Sequence, residues 1–279
     1  MSGTGSRGFI LTFHSHNVSG DTYATNDHVA LDATLTTLER LRIPVLRLVD
    51  VARRLRAKNF DSLPPRFACI TFDDGSDYDW RDAEFPGHGV QRSMFSILRS
   101  HSRSLLGLAW LRRARATSFV IASARARDEI AAAALGDAAL MSDAWWAGAQ
   151  RSGLMDIGTH GWNHVHPAVS EMASRPELVE HFERIESPED ARLQVDRAFE
   201  SIQASAGGDA GRIFAYPYGQ VSDFVADRHL PSHGGIVAAV AVEPRPVTAS
   251  SDPWRMPRYV CGPHWSSDEE LEKLLAAPH

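Results

Sequence analysis

Short apolar runs recur along the chain, each followed by a polar or titratable cluster and then by a stretch of helical periodicity. The runs are Phe9–Phe13, Arg66–Phe72, Thr117–Ala122, Met155–Gly158, Arg212–Tyr216, Gly235–Val242 and Arg258–Cys261. Their length suits buried strands. Helical patterns fall between them at Leu31–Leu41, Leu48–Ala57, Ala126–Leu140, Asp143–Ser152 and Pro188–Ser205. Ser187-Pro188-Glu189-Asp190 supplies a helix start, with a Ser cap, Pro at the first position and early acids. Strands that alternate with helices imply βα units on a mostly parallel sheet. Seven such strands with no clear reversal point to a barrel, and no repeat or low-complexity linker divides the chain. At 279 residues it stays within the range of a single α/β-barrel domain, expected here over 1–279.

A barrel predicts where chemistry sits, because active sites of such folds form at the C-terminal ends of the strands. The polar clusters obey that rule. His14 follows Phe13, Asp73 and Asp74 follow Phe72, His160 follows Ile157-Gly158, and Tyr218 follows Phe214–Tyr216.

Composition narrows the class. With 43% hydrophobic and 23% charged residues the chain reads as a soluble globular protein. Lys and Arg total 29 against 35 Asp and Glu, a formal charge of −6 that offers nucleic acid no basic face. The two cysteines, Cys69 and Cys261, lie in apolar runs and read as small buried hydrophobes rather than a disulfide framework. Met1–Gly8 is short and polar, Phe9–Phe13 is too brief for a signal core, and no run of about 18 apolar residues occurs. The expected location is cytoplasmic.

Three constellations carry candidate chemistry. In Thr71-Phe72-Asp73-Asp74-Gly75, two adjacent carboxylates end an apolar run. Such a pair is costly unless paired or metal-bound. Beside a cation one carboxylate ligates and the other serves as a base, although Asp-Asp-Gly is also ordinary turn chemistry. In Gly158-Thr159-His160-Gly161-Trp162-Asn163-His164-Val165-His166-Pro167, His160 and His164 are four apart, so one helical turn aims both at one point. With a carboxylate from another strand they suit a divalent ion such as Zn²⁺ with an open position for water. His166 is a rival ligand, disfavoured because Pro167 biases it towards extended backbone. Phe214-Ala215-Tyr216-Pro217-Tyr218-Gly219 supplies an aromatic wall whose exposed backbone N–H can serve as an oxyanion donor.

In this order the three resemble the polysaccharide deacetylase family (the NodB-homology domain, carbohydrate esterase family 4). The family's first motif, Thr-Phe-Asp-Asp-Gly, is matched fully at Thr71–Gly75. The second, His-Ser/Thr-x-x-His, is matched at His160 and His164 with Gly161 replacing the hydroxyl residue. The third, Phe-Arg-x-Pro-Tyr-Gly, is matched at Phe214–Tyr218 and Gly219 except that Ala215 replaces Arg. The resemblance spans about residues 9 to 270 and implies a distorted, incomplete (β/α)7 barrel. It assigns Asp73 as general base, Asp74, His160 and His164 as metal ligands, and the Tyr218 N–H as oxyanion donor. With Ala215 in place of the family's Arg, Arg258 becomes the candidate to orient the base, since it begins a late strand at the same barrel mouth. The family's C-terminal Leu-x-His is missing. Phe13-His14 resembles the Tyr-His that follows the first strand in the poly-N-acetylglucosamine-type branch, where that His is the general acid. Phe214–Gly219 and the late Pro257-Arg258 agree with that branch. His16 and His264 are the alternative acids.

The implied activity is metal-dependent hydrolysis of an N-acyl group, N-acetyl in the first instance, from an amino sugar in a poly- or oligosaccharide. The competing readings are a deformylase or deacetylase of a lipid- or nucleotide-linked sugar, and a catalytically impaired glycan-binding relative. Residues 77–116 form an insert, expected to be helical. Asp77, Asp79, Asp82 and Glu84 alternate with Tyr78 and Trp80, and could line a sugar subsite or a solvated loop. Gln91–Arg115 holds six arginines and no acid among apolar residues at near-helical spacing. It reads as a helical hairpin packed on the barrel, or as a surface for an anionic glycan or a membrane-borne substrate.

Overall fold

In the computed structural model, residues 5–103 and 114–276 are described. The strands are β1 (Arg7–Phe13), β2 (Arg66–Phe72), β3 (Ala83–Phe85), β4 (Gly89–Gln91), β5 (Ala116–Val120), β6 (Met155–Thr159), β7 (Ile213–Ala215), β8 (Ala238–Val240) and β9 (Tyr259–Val260). The helices are α1 (Asp27–Arg40), α2 (Leu48–Arg56), α3 (Met94–Arg103), α4 (Ala124–Ala134), α5 (Trp146–Ser152), α6 (Pro188–Ala191), α7 (Ala198–Ala206), α8 (Leu230–Ser232) and α9 (Asp268–Ala276). No helix among the described residues is long and apolar enough to cross a membrane.

Seven parallel strands in the order β8-β7-β6-β5-β2-β1-β9 curl into a distorted, incomplete (β/α)7 barrel. Beyond β8 the chain doubles back. Met256 bridges Val240, the Ala241 N–H donates to Met256 O at 2.9 Å, and the Glu243 N–H donates to Arg258 O at 3.1 Å. The segment before β9 therefore runs along one edge of the sheet, and β9 itself pairs with β1 at the other. Arg258 lies between the two.

Strand periodicity decides which residues face inward. In β1, Phe9, Leu11 and Phe13 pack outward against the helices, while Ile10 joins Phe67, Cys69, Phe119, Ile213, Ala215, Val240 and Met256 inside the barrel. The same alternation puts Thr12 and Thr71 inside, where their hydroxyls meet at 2.9 Å. It puts Asp73, two residues beyond Thr71, on that inner face. Both faces of β1 and β2 are buried, so these strands match the continuous apolar runs of the sequence almost to the residue.

Boundaries shifted where caps intervene. Helix α1 begins at Asp27, earlier than its apolar pattern, because Asn26 Oδ1 accepts from the N–H groups of His28 (2.9 Å) and Val29 (3.4 Å). The single helix expected over Ala126–Leu140 is split. Gly136 takes φ +74° after α4, and Ala138–Met141 is a separate 3₁₀ turn. Between α6 and α7, Arg192–Arg197 is a π turn in an otherwise continuous helical run.

After β2 the chain forms a 3₁₀ turn at Asp77–Asp79, an antiparallel ribbon of β3 and β4, and then α3. The ribbon was not expected. Asp77, Tyr78 and Asp79 are buried rather than lining a subsite or facing solvent. Asp77 Oδ1 accepts from the Ser142 N–H and hydroxyl, both at 2.9 Å, and the Tyr78 hydroxyl donates to Glu84 O at 2.9 Å. Residues 104–113, with the second half of the expected hairpin and Arg112 and Arg113, lie outside the described residues. Of the other arginines, Arg92 pairs with Asp32 and Arg99 lies over the Phe95 ring.

Gly158 in β6 faces Phe119, its neighbour in the β5 ladder. A Cβ at Gly158 would lie 2.4 Å from Phe119 Cδ1, and Phe119 is fully buried. Gly158→Ala is expected to destabilise the protein by about 1–3 kcal/mol through overpacking. Urea denaturation should show a lower midpoint with an unchanged slope.

Candidate active site

Asp73 leaves the end of β2 pointing inward, and its N–H donates to Phe13 O at 3.1 Å, which extends the β1–β2 ladder by one step. Its carboxylate meets Arg258 in a two-pronged pair. Nη1 donates to Oδ1 at 2.7 Å and Nη2 to Oδ2 at 2.9 Å, while Nε donates to Ala241 O at 3.2 Å. Arg258 is 0% exposed and Asp73 5%. Burial alone would push the Asp73 carboxyl up. The Arg258 guanidinium, helped by His160, outweighs that and holds it below the usual carboxylate range.

An unbroken strand would turn Asp74 to the opposite face from Asp73. Asp74 escapes by adopting φ +73°, followed by Gly75 at φ +73°, so both neighbouring carboxylates reach the same site. Asp74 Oδ1 lies 3.6 Å from His160 Nε2 and 3.5 Å from His164 Nε2. Both separations exceed a good hydrogen bond. They are close to the separation of about 3.3 Å expected between donors sharing one tetrahedral ion at 2.0–2.1 Å. One donor atom from each of Asp74, His160 and His164 falls within 4.8 Å of the other two, so the three fit a metal ion. His160 Nδ1 lies 2.9 Å from Ala215 O, and a hydrogen on Nδ1 leaves the Nε2 lone pair free to ligate. Burial, reinforced by His160, lowers His164 to about 3, so this ring stays neutral, as a ligand must.

The helical turn expected to aim the two histidines does not exist. His160 directly follows β6, Gly161 takes φ +80°, and His164 and Val165 take φ +59° and +45°. The ring centroids still come within 4.7 Å. A left-handed Val is a costly backbone state. Hydrogen bonds from the helical layer hold it there. Gln194 Oε1 accepts from the Trp162 N–H at 3.0 Å, Gln194 Nε2 donates to Asn163 Oδ1 at 2.7 Å, and Asn163 Oδ1 accepts from the Val165 N–H at 3.0 Å. Gln194 belongs to the π turn, and nothing in the sequence marked it. A π turn at such a support agrees with the tendency of these bulges to occur near functional sites.

The remaining sequence candidates surround this centre in one cavity of about 510 Å³. His14, His16, His166, Tyr218 and His264 all line it. The His14 N–H donates to Asp27 Oδ2 at 2.7 Å, an anchor the sequence analysis missed, and burial raises Asp27 to about 6 despite that bond. His16 Nδ1 stands 3.8 Å from Asp74 Oδ2. His166 Nδ1 accepts from the Ala168 N–H at 3.1 Å, and His166 is not in the three-residue donor group. His264 Nδ1 accepts from the Val260 N–H at 2.7 Å. Tyr218 takes φ +58° and sets its half-exposed ring against His164, centroids 4.4 Å apart.

The family model described as polysaccharide deacetylase matches residues 61–230. No curated protein matches the sequence. Three solved structures share the architecture. A de-N-acetylase from Aggregatibacter actinomycetemcomitans has 18% identity and a TM-score of 0.66 over 96% of this chain and 100% of its own. The deacetylase PplD of Streptococcus pyogenes, in complex with acetate, has 17% identity and a TM-score of 0.67 over 98% and 100%. IcaB from Ammonifex degensii has 19% identity and a TM-score of 0.64 over 98% and 99%. At such identities the likeness is one of fold.

Arg258→Met would strand a buried carboxylate. The expected loss is about 3–5 kcal/mol, the scale for breaking one partner of a buried ion pair. Combining it with Asp73→Asn should recover at least half of that loss in denaturant melts. Additive losses would show that the pair does not act as a unit.

Proposed function

The chain belongs to the polysaccharide deacetylase family, and from that membership we propose that it is a metal-dependent hydrolase. It removes an N-acyl group, N-acetyl in the first instance, from an amino sugar in a poly- or oligosaccharide. The observation that carries this reading is the convergence of Asp74, His160 and His164 at strand ends beside an Asp73 already paired by Arg258. The likeness to a de-N-acetylase and to IcaB supports the poly-N-acetylglucosamine-type branch.

Asp74, His160 and His164 would hold the ion, and an oxygen–nitrogen–nitrogen donor set suits Zn²⁺. When bound, such an ion lowers the pKa of water and polarises the acyl oxygen. Asp73 takes the proton of the attacking water. Arg258 keeps that carboxylate ionised and fixes its plane. The Tyr218 N–H donates to the oxyanion that forms on the acyl carbon, a contribution of about 3 kcal/mol per donor in other enzymes. His14, held through its own N–H by Asp27, gives a proton to the departing amine. The C–N bond breaks, one water is consumed, and a carboxylate and a free amine are released.

Asp73→Asn should abolish acetate release from N-acetylglucosamine oligomers while elemental analysis still finds one metal per chain. Chelation should abolish activity reversibly. Loss of metal with Asp73→Asn would mean that the two carboxylates exchange roles.

His14→Ala should lower kcat by about 10² or more, the scale of positioned acid catalysis, and should spare substrates with good leaving groups. Steady-state kinetics of both substrate types checks this. The same pattern from His264→Ala, and not from His14→Ala, would transfer the acid role to His264.

A further inference from the structure

The cavity that contains the three candidate ligands has a second wall that the hydrolytic step does not use. Ile121 follows β5, Ile130 and Ala134 lie on α4, Leu135 caps that helix, and Met141 ends the next turn. These five side chains are aliphatic, with no aromatic ring and no hydrogen-bond donor among them. A sugar ring is oriented by placed polar groups and aromatic faces, and this wall offers neither. The rest of the cavity is mixed, with His14, His16, Asn17, His166 and His264 beside the apolar Val242, Val260 and Pro263.

The aliphatic wall adjoins the candidate metal centre. Ile121, Ile130 and Met141 are buried in the same cluster as Val165, the residue after His164. Its outer end is open, because Ala134 is exposed and Leu135 half-buried. An acetyl group places a single methyl beyond the carbonyl carbon and would not reach the open outer end of this wall.

We propose that the wall receives the alkyl part of the N-acyl group, and that the substrates include amino sugars N-acylated with chains longer than acetyl. This rests on the hydrolase reading above. With the amide carbonyl beside Asp74, His160 and His164, the alkyl carbon leaves the carbonyl on the side away from nitrogen and the sugar. A chain on that side runs along the aliphatic wall while the sugar occupies the histidine-lined side. A lipid on the anomeric carbon would instead begin across the sugar ring. The bond changes are those of acetyl removal. Water oxygen joins the acyl carbon, the C–N bond breaks, the amine nitrogen gains a proton, and a longer carboxylate leaves.

The test uses the full, metal-loaded chain and glucosamine oligomers N-acylated with acetyl, butanoyl, hexanoyl or octanoyl groups, read by release of free amine. Each methylene buried against the wall should raise kcat/KM by up to about fourfold, the equivalent of about 0.8 kcal/mol. Hexanoyl should therefore exceed acetyl at least tenfold. Ala134→Trp, at an exposed helix position, should lower the hexanoyl-to-acetyl ratio at least tenfold by filling the wall. Calorimetry gives a readout without turnover, in which hexanoate should bind wild type at least tenfold tighter than acetate and lose that advantage in Ala134→Trp. Acetyl release with no gain for longer chains overturns the proposal and leaves the hydrolase reading standing. So does a ratio that Ala134→Trp does not change, or a gain seen only with a lipid on the anomeric carbon. No amine release from any member of the panel overturns both.

Discussion

The ion pair of Asp73 and Arg258 inside the barrel is the constraint on which the site rests. Two charges removed from water are tolerated only with good mutual geometry and with their other hydrogen-bonding atoms satisfied. Both conditions hold here. The guanidinium meets both carboxylate oxygens, its Nε donates to Ala241 O, and its face lies 5.4 Å from the Phe119 ring. Arg258 arrives from the segment that runs along β8 before pairing with β1, so the pair ties the last strand to the centre of the sheet. An inward aspartate on β2 needs a cation there, and Ala215 cannot supply it. Asp73 and the late strand are in this sense one structural unit.

Around that pair the backbone is held in states that most side chains avoid. Asp74, His164, Val165 and Tyr218 all have φ near +45° to +75°, and all four are at or beside the candidate site. Each such residue costs on the order of 1–2 kcal/mol. The surrounding layers offset this with directed hydrogen bonds. Gln194 reaches in from a π turn to hold the His160–His164 loop, and Ala215 O orients the His160 ring. A regular helix at 188–206 and a relaxed loop at 160–165 would each be locally easier. Together they would not aim two imidazoles at Asp74.

The titratable groups of the cavity are confined to its strand-end side. Histidines from the ends of β1, β6 and β9 line that part together with Val242, Val260 and Pro263, and only aliphatic residues from the α4 region line the other. The division follows from the fold. Strand ends present polar groups to the barrel mouth, whereas α4 turns the apolar stripe that packs it onto the barrel towards the same opening. The ribbon and turn after β2 stay out of the cavity because Asp77 and Tyr78 are consumed in internal hydrogen bonds.

Much of this was legible in the sequence, for local reasons. Strands β1 and β2 are buried on both faces, so their residues form unbroken apolar runs that mark them closely. The adjacent carboxylates, the two histidines and the Pro-Tyr-Gly turn are contiguous and lie just after such runs, where a barrel exposes its chemistry. Ala215 signalled that an arginine was missing from its usual place, and Arg258 stood out as the nearest replacement. What the sequence could not display were pairings between residues far apart along the chain. Gln194 lies some thirty positions from the loop it holds, Asp27 accepts from a residue before α1 begins, and the aliphatic wall is drawn from a strand end, a helix and a turn. The four-residue spacing of His160 and His164 even suggested a helix, although left-handed turns bring the rings together. Periodicity and adjacency determine the strands and the kinds of chemistry at their ends. Only tertiary packing decides which backbone states survive there, because their cost is met by hydrogen bonds that exist only once the barrel has closed.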